Sequence, residues 1–285
     1  MMEDSNVNGN NIVITGGTRG IGKNVSLKLA AYSTKIIIVG SDPLAGDNAV
    51  TDIKNSSDNE NVDFIKCDFS SLKQVEQLSK DISKKMPTVD ILVNNAGIVS
   101  PKHQLSDDRI EKTLAVNYFS HVLLTTSLLE NIKTSKNGLI VNVTSDCHKL
   151  RTFDFTDFDN SKDYHWMLAY NRSKLANVLF NHELADRLID TNIKVNSISP
   201  GGVRTGIYDE LQFFVRLASK LTCSSVDKGA NYICNLIFQN LTKGGSGLYY
   251  SKSKLKKSCD ATYDKNLKTS LWDLTEKMIS MKLNK

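Results

Sequence analysis

"NIVITGGTRGIG", residues 11 to 22, runs from a β-branched apolar stretch straight into Gly16, Gly17, Gly20 and Gly22. Its first half reads as a strand buried on both faces. Its second half opens a helix, where missing side chains let backbone N–H groups and the helix N-terminus approach a pyrophosphate. The spacing Gly-x-x-x-Gly-x-Gly differs from the G-x-G-x-x-G dinucleotide fingerprint, so a purely structural tight turn is the competing reading.

The rest of the chain chooses between them. Apolar runs recur at 35 to 40 (KIIIVG), 62 to 67 (VDFIKC), 90 to 95 (DILVNN), 138 to 145 (GLIVNVTS) and 193 to 199 (IKVNSIS), and GLYY at 247 to 250 supplies a seventh. Periodic segments at 20 to 31, 71 to 85, 117 to 131 and 172 to 189 lie between them as crossover helices. Such alternation predicts a doubly wound α/β fold, a mostly parallel sheet of about seven strands with helices on both faces. Ligands in such sheets bind beyond the carboxyl ends of the strands.

Composition bounds the rest. The chain has 285 residues, 40% hydrophobic and 24% charged, with four prolines and no low-complexity tract, so we expect one globular domain over 1–285. The net charge of +5 is concentrated in the segment 243–285, which carries ten lysines against four acids. Lysine at that density reads as a solvated face, and no nucleic-acid partner is expected. The five cysteines are scattered without C-x-x-C pairs, and His103, His121, His148, His165 and His182 lack metal spacing, so we expect free thiols and no metal. With neither a signal peptide nor a spanning segment in view, the expected localisation is cytoplasmic.

"AYNRSK", 169 to 174, places Tyr170 one helical turn before Lys174. A nearby ammonium favours the phenolate and lowers the phenol's pKa, which suits proton transfer. "YSKSK" gives Tyr250 and Lys254 the same spacing, so the pair alone decides nothing.

"TGGTRGIG" together with "CDFSS", "NNAG", "VNYFS", "YNRSK" and "PGGVRT", in that order over residues 11 to about 205, resembles the short-chain dehydrogenase/reductase family. "FDFTDFDNSKDYHWMLAYNRSKLANVLFNHELADRL" and the C-terminal "GLYYSK" and "LKTSLWDLTEKM" resemble the branch containing retinol dehydrogenases and the WW-domain-containing oxidoreductase. The resemblance implies an enzyme that interconverts a carbonyl and an alcohol. It implies a cofactor site of Thr15, Gly16, Thr18, Arg19, Gly20, Ile21, Gly22, Ser41, Asp68, Phe69, Asn94, Ala96, Gly97, Pro200, Val203 and Thr205, shared with Tyr170 and Lys174. It also implies the roles of the catalytic set. Tyr170 passes a proton to or from the substrate oxygen, Lys174 tunes Tyr170 and holds the nicotinamide ribose, Ser145 donates to the carbonyl, and Asn117 holds a water. The alternative is a dinucleotide-binding regulatory protein without turnover.

Arg19 suits the 2′-phosphate of NADP, and Gly40 stands where an NAD-preferring relative usually has an acid, so NADP(H) is preferred, with NAD(H) as the alternative; Ser41 departs from the arginine of many NADP-using relatives, though its hydroxyl can bond a phosphate oxygen. Asp42 has near-fingerprint spacing for a ribose-binding acid, but before Pro43 it reads better as a helix cap. The 24 residues 146–169 between Ser145 and Tyr170 form a long insert with Phe153, Phe155, Phe158, Tyr164 and Trp166, which either wall an apolar pocket or pack the insert onto the sheet. Cys147 either lines that pocket or packs, and His148 and His165 at most touch substrate. Leu211, Phe214, Val215, Ala218 and Leu221 form an apolar helical stripe, read as a substrate lid over 206–222, with peripheral membrane contact as the alternative. In either case the substrate side reads as apolar, and the resemblance implies a small carbonyl or alcohol of retinoid, steroid or lipid type as partner. Helices 117 to 131 and 172 to 189 correspond to those that relatives often use to form homodimers.

Overall fold

The computed structural model describes residues 7–150, 164–202 and 225–284. Eight strands form one sheet: β1 (Asn11–Thr15), β2 (Lys35–Gly40), β3 (Val62–Lys66), β4 (Ile91–Asn94), β5 (Leu139–Val143), β6 (Lys194–Ser199), β7 (Leu248–Ser251) and β8 (Lys254–Lys256). The helices are α1 (Gly20–Ala30), α2 (Pro43–Ser57), α3 (Leu72–Lys85), α4 (Lys112–Leu114), α5 (Ser120–Ser127), α6 (Leu129–Lys133), α7 (Trp166–Arg187), α8 (Val226–Lys243) and α9 (Lys265–Leu283).

Spatial order in the sheet is β3-β2-β1-β4-β5-β6-β7-β8. The chain builds outward from β1 to β3, returns to pair β4 with β1 in parallel, and then builds the other way. That reversal opens a crevice above the carboxyl ends of β1 and β4, where an open α/β sheet takes its ligand.

Strand periodicity divides the core in two. Ile12, Ile14, Ile36, Ile38, Ile91 and Val93 pack on one face with α1, α2 and α8. Val13, Ile37, Val39, Leu92, Ile140 and Val195 pack on the other with α3, α5, α7 and α9. Each fully buried aliphatic side chain is worth about 1.5–3 kcal/mol, which is why the central strands read as unbroken apolar runs rather than alternating ones. β3 departs from that expectation, because as the far edge it buries Val62 but exposes Asp63 and Lys66.

β8 was not expected. It returns antiparallel on β7, pairing Ser251 with Lys254 and Tyr250 with Leu255. Lys252, at φ 57°, takes the left-handed turn position where glycine or asparagine is the usual signal, so the turn left no recognisable mark in the sequence.

α2 starts as Asp42 predicts. Its carboxylate accepts from Leu44 N at 3.0 Å and Ala45 N at 3.3 Å, with proline next in the chain. α7 begins six residues before the expected 172, capped by His165, and so carries Tyr170 and Lys174 on one rigid element. The expected helix at 117 to 131 starts earlier too, and a π turn at Ala115–Phe119 links α4 to α5. α9 lies across the helices expected to pair between copies. Tyr118 bonds Thr275 at 2.9 Å, Trp272 stacks on Phe180 at 5.8 Å, and Arg187 lies 4.3 Å over Trp272. Much of that surface is therefore buried within one chain.

Candidate active site

The loop after β1 is held by close backbone approach. Gly16 has φ 63°, and a Cβ there would lie 2.9 Å from Ala96 Cα, while one on Gly22 would lie 2.2 Å from the Gly16 carbonyl oxygen. Only glycine fits both positions. Thr15 Oγ1 accepts from the N–H groups of Asn95 and Ala96, both at 2.9 Å, and Asn95 Nδ2 donates to the carbonyls of Thr15 and Gly16 at 2.9 and 3.2 Å. The ends of β1 and β4 are thereby locked together, and α1 points its N-terminus into the crevice.

Lys174 is 3% exposed, and its Nζ donates to the Val143 carbonyl at 3.1 Å and lies 5.7 Å from the centre of the Tyr170 ring. Burial pushes its pKa from 10.5 down to about 8. Asn117 sits in the π turn, a distortion common at functional sites. Its Oδ1 accepts from Ile98 N at 2.8 Å, and its Nδ2 donates to the Ile98 carbonyl and Ser173 Oγ, each at 3.0 Å. A Cβ on Gly97 would reach 3.4 Å from Asn117 Oδ1 and 3.7 Å from Lys174 Nζ, so the missing side chain keeps open the space beside both.

A cavity of about 760 Å³ gathers most of the expected residues: Gly16, Thr18, Arg19, Gly20, Ile21, Ser41, Asp68, Phe69, Ala96, Gly97, Ser145, Tyr170, Lys174 and Pro200. Thr15, Gly22, Asn94 and Asn117 stand behind its wall. Asn94 corrects the sequence reading. It is fully buried, its Nδ2 donates to Thr125 Oγ1 at 2.8 Å and Asn142 Oδ1 at 2.9 Å, and the neighbouring Asn95 lines the cavity instead. The two side chains of "NN" point to opposite sides, a parity the motif does not announce. Val203, Thr205 and the stripe from Leu211 to Leu221 lie outside the described residues, as do Phe153, Phe155 and Phe158.

Among the described residues, the acids on the cavity lining are Asp68 and Asp146. Asp42 is not among them, and a Cβ on Gly40 would sit 2.7 Å from the Thr18 methyl group. Ile98, Val99, Ser100, Lys112, Val116, Val143, Thr144, Cys147, Ser199, Gly201 and Gly202 also line the cavity and were not singled out as site residues, apart from Cys147, whose lining reading is the one observed. Most of them follow the ends of β4, β5 and β6, which was the available signal, whereas Lys112 and Val116 come from α4 and the π turn. Of the insert, Tyr164 packs instead of lining: its hydroxyl donates to the Ser100 carbonyl at 2.8 Å and its ring meets His103 edge-on at 5.4 Å. His148 is fully buried and does not reach the cavity, and exposed His165 caps α7.

His121, one of the five histidines without metal spacing, is nonetheless tied to the site: its ring bonds the Asn117 backbone and lies 3.5 Å from Thr15 Oγ1. Burial, with Lys174 nearby, holds its pKa down at about 3, so it is neutral. The thiols of Cys67, Cys147, Cys234 and Cys259 are free. Among the described residues no helix is long and apolar enough to cross a membrane.

Comparison with known proteins agrees with this geometry. The family model for short chain dehydrogenase matches residues 10–213. Human polyprenol dehydrogenase is 31% identical over 270 residues, covering 91% of this chain and 82% of that protein. Human retinol dehydrogenase 12 is 37% identical over 194 residues, covering 68% and 61%. Among solved structures, an uncharacterised protein from Mycobacterium paratuberculosis superposes with a TM-score of 0.77 at 22% identity, covering 96% of this chain and 94% of its own. A short chain dehydrogenase from Shigella flexneri in complex with NADP superposes at 0.68 and 20% identity, covering 88% and 100%. The chain belongs to the short-chain dehydrogenase family of oxidoreductases, in its retinol dehydrogenase-like branch.

Proposed function

We propose that this single-domain protein is an NADP(H)-dependent oxidoreductase that interconverts a carbonyl and an alcohol on an apolar substrate. The observation that carries the reading is the convergence of Ser145, Tyr170 and buried Lys174 on the same cavity as the glycine loop. The residues fit a dinucleotide, since the positive φ of Gly16 and the open space at Gly97 make a cradle that any Cβ would fill. Gly16 to Ile21 would hold the pyrophosphate, Asp68 and Phe69 the adenine, Asn95 to Gly97 the adenosine ribose, and Lys174 the nicotinamide ribose. Bound there, the nicotinamide supplies or accepts hydride at the substrate carbon.

The chain's own groups do the rest. Ser145 hydrogen-bonds the substrate oxygen where negative charge develops. Tyr170 delivers or removes the proton at that oxygen, with the Lys174 ammonium lying against its ring. Asn117, facing the same gap as Lys174, lies on the route by which a water resupplies the proton. Arg19 and Ser41 border the adenosine end, whereas Asp42 is spent on capping α2, which supports NADP over NAD. An NADP enzyme works mostly as a carbonyl reductase, because cells hold that cofactor reduced.

Ile98, Val99, Val116 and Val143 give the cavity apolar wall, and relatives named for retinol and polyprenol support a retinoid, steroid or lipid-like substrate. The cytosol is the proposed compartment. Purified protein with NADPH, assayed against retinaldehyde, steroid ketones, quinones and simple aldehydes, is expected to reduce an apolar member. Parallel titrations with NADPH and NADH are expected to favour NADPH, and tighter binding of NADH would reverse the cofactor assignment.

A further inference from the structure

Ser145 is anchored from both sides by a distant part of the chain. The next residue, Asp146, accepts hydrogen bonds from Tyr249 Oη at 2.7 Å and from Ser199 Oγ and Ser251 Oγ, both at 3.0 Å. Its own N–H donates to Ser199 Oγ at 3.0 Å. Three hydroxyls from β6 and β7 thus converge on one carboxylate. A carboxylate is the side chain that can accept all of them at once.

The second anchor is His148, 0% exposed. Its Nε2 faces the backbone N–H of Cys259 at 3.3 Å, and an amide N–H can only donate, so Nε2 carries no proton. The proton is therefore on Nδ1, which donates to the Ser145 carbonyl at 2.7 Å. The ring also meets Tyr249 edge-on at 4.8 Å. Apart from Ser199, the anchoring groups lie in residues 249 to 259, beyond the 10–213 matched by the family model.

We infer that Asp146, His148 and Tyr249 are positioning residues that set the direction in which Ser145 offers its hydroxyl to the substrate oxygen, so that β7 and the turn at Cys259 are part of the active site. The inference rests on the oxidoreductase reading for its consequence, but the clamp itself is a matter of geometry. A serine hydroxyl swings about one bond, and a donor that must meet a developing charge loses its effect when its backbone drifts by about 1 Å. None of the three positioning residues needs to touch substrate.

The test compares Tyr249→Phe, His148→Gln and His148→Asn with the wild type, each checked for folding by thermal melting, with Ser251→Ala as the milder substitute for any variant that fails to fold. Two readouts are taken: amide hydrogen exchange at residues 145–149, which needs no turnover, and kcat and KM with NADPH and the best carbonyl substrate. Glutamine at 148 places its terminal amide at the Nε2 position and loses the bond to Ser145, whereas asparagine keeps a donor at the Nδ1 position and loses the bond to Cys259. The expected result is faster exchange in Tyr249→Phe and His148→Gln, with kcat lowered about 10-fold, unchanged NADPH affinity and carbonyl KM, and rescue to within about 3-fold in His148→Asn. A wild-type kcat in Tyr249→Phe and His148→Gln, or equal losses in the two His148 variants, would overturn the positioning role. If the wild type reduces no carbonyl, the oxidoreductase reading fails, and unaltered exchange in Tyr249→Phe would then overturn the clamp by itself.

Discussion

The two walls of the cavity are held in place by opposite means. The loop of Gly16 to Gly22 is shaped by its own backbone and by Asn95 and Ala96 just after β4, through atoms too close to admit a Cβ. The loop at Ser145 is shaped by hydrogen bonds from groups about a hundred residues away, the Tyr249 and Ser251 hydroxyls and the Cys259 backbone N–H. Where close backbone approach sets the geometry, the constraint falls on glycine and can be read from sequence. Where long-range hydrogen bonds set it, ordinary Asp, His and Tyr residues carry it.

The sharpest way to break the comparison is at Gly22. An alanine Cβ there would press to 2.2 Å on the Gly16 carbonyl oxygen, backbone against side chain, with Asn95 Nδ2 at 2.6 Å. Gly22→Ala is expected to cost about 3 kcal/mol in denaturant unfolding and to abolish NADPH binding. Gly97→Ala meets only ordinary contacts, so its melting curve should stay near wild type while cofactor affinity drops.

On the other wall, Ser145→Ala is expected to lower kcat about 10²-fold, the usual loss for one donor to a developing oxyanion, while the melting curve barely moves. A loss of folding there would show that the serine is structural. Together these variants separate a wall whose glycines are architecture from one whose serine is chemistry.

Buried histidines sharpen the comparison by about 2 kcal/mol each. His121, beneath the glycine loop, has its pKa pushed by burial to about 3, and His182, bonded to Ser258 in the C-terminal segment, has its own pushed by burial and then by Lys268 to about 4. Both lie below the unfolded value of 6.5, so the unfolded chain takes up protons first. Stability is full above pH 6.5 and falls as pH drops toward the folded values, by roughly 2 kcal/mol per histidine at pH 5. Urea unfolding at pH 7 and pH 5 checks the fall, to which His148, its pKa also lowered by burial, adds, and His182→Gln should remove roughly 2 kcal/mol of it.

The smallest effect is expected at Asp42. Asp42→Ala should cost about 1 kcal/mol by loss of the α2 cap and leave the ratio of NADPH to NADH affinity unchanged. A shift in that ratio would return Asp42 to the cofactor site.

The same division explains what was legible in the sequence. Seven strands could be placed to within a residue or two at most ends, because buried strands need unbroken apolar runs; β8 could not, because its turn uses Lys252 in a left-handed conformation and its three residues are all exposed. Tyr170 and Lys174 were legible through the ordered motifs around them rather than through their spacing, which Tyr250 and Lys254 share, and Ser145 through its place after a strand. Asn95 was confused with Asn94, because only the pleat decides which of two adjacent asparagines faces the crevice. Asp146 and His148 carried no local signal, since their partners are known only once β6 and β7 are beside them.

The central claim is that one cavity joins a dinucleotide cradle to a tyrosine acid. Its most direct test is Tyr170→Phe, assayed for NADPH binding by fluorescence titration and for carbonyl reduction by steady-state kinetics. The predicted result is wild-type NADPH affinity with turnover lowered about 10³-fold, within the range for removal of a general acid. Substantial turnover in the phenylalanine variant would contradict the assignment.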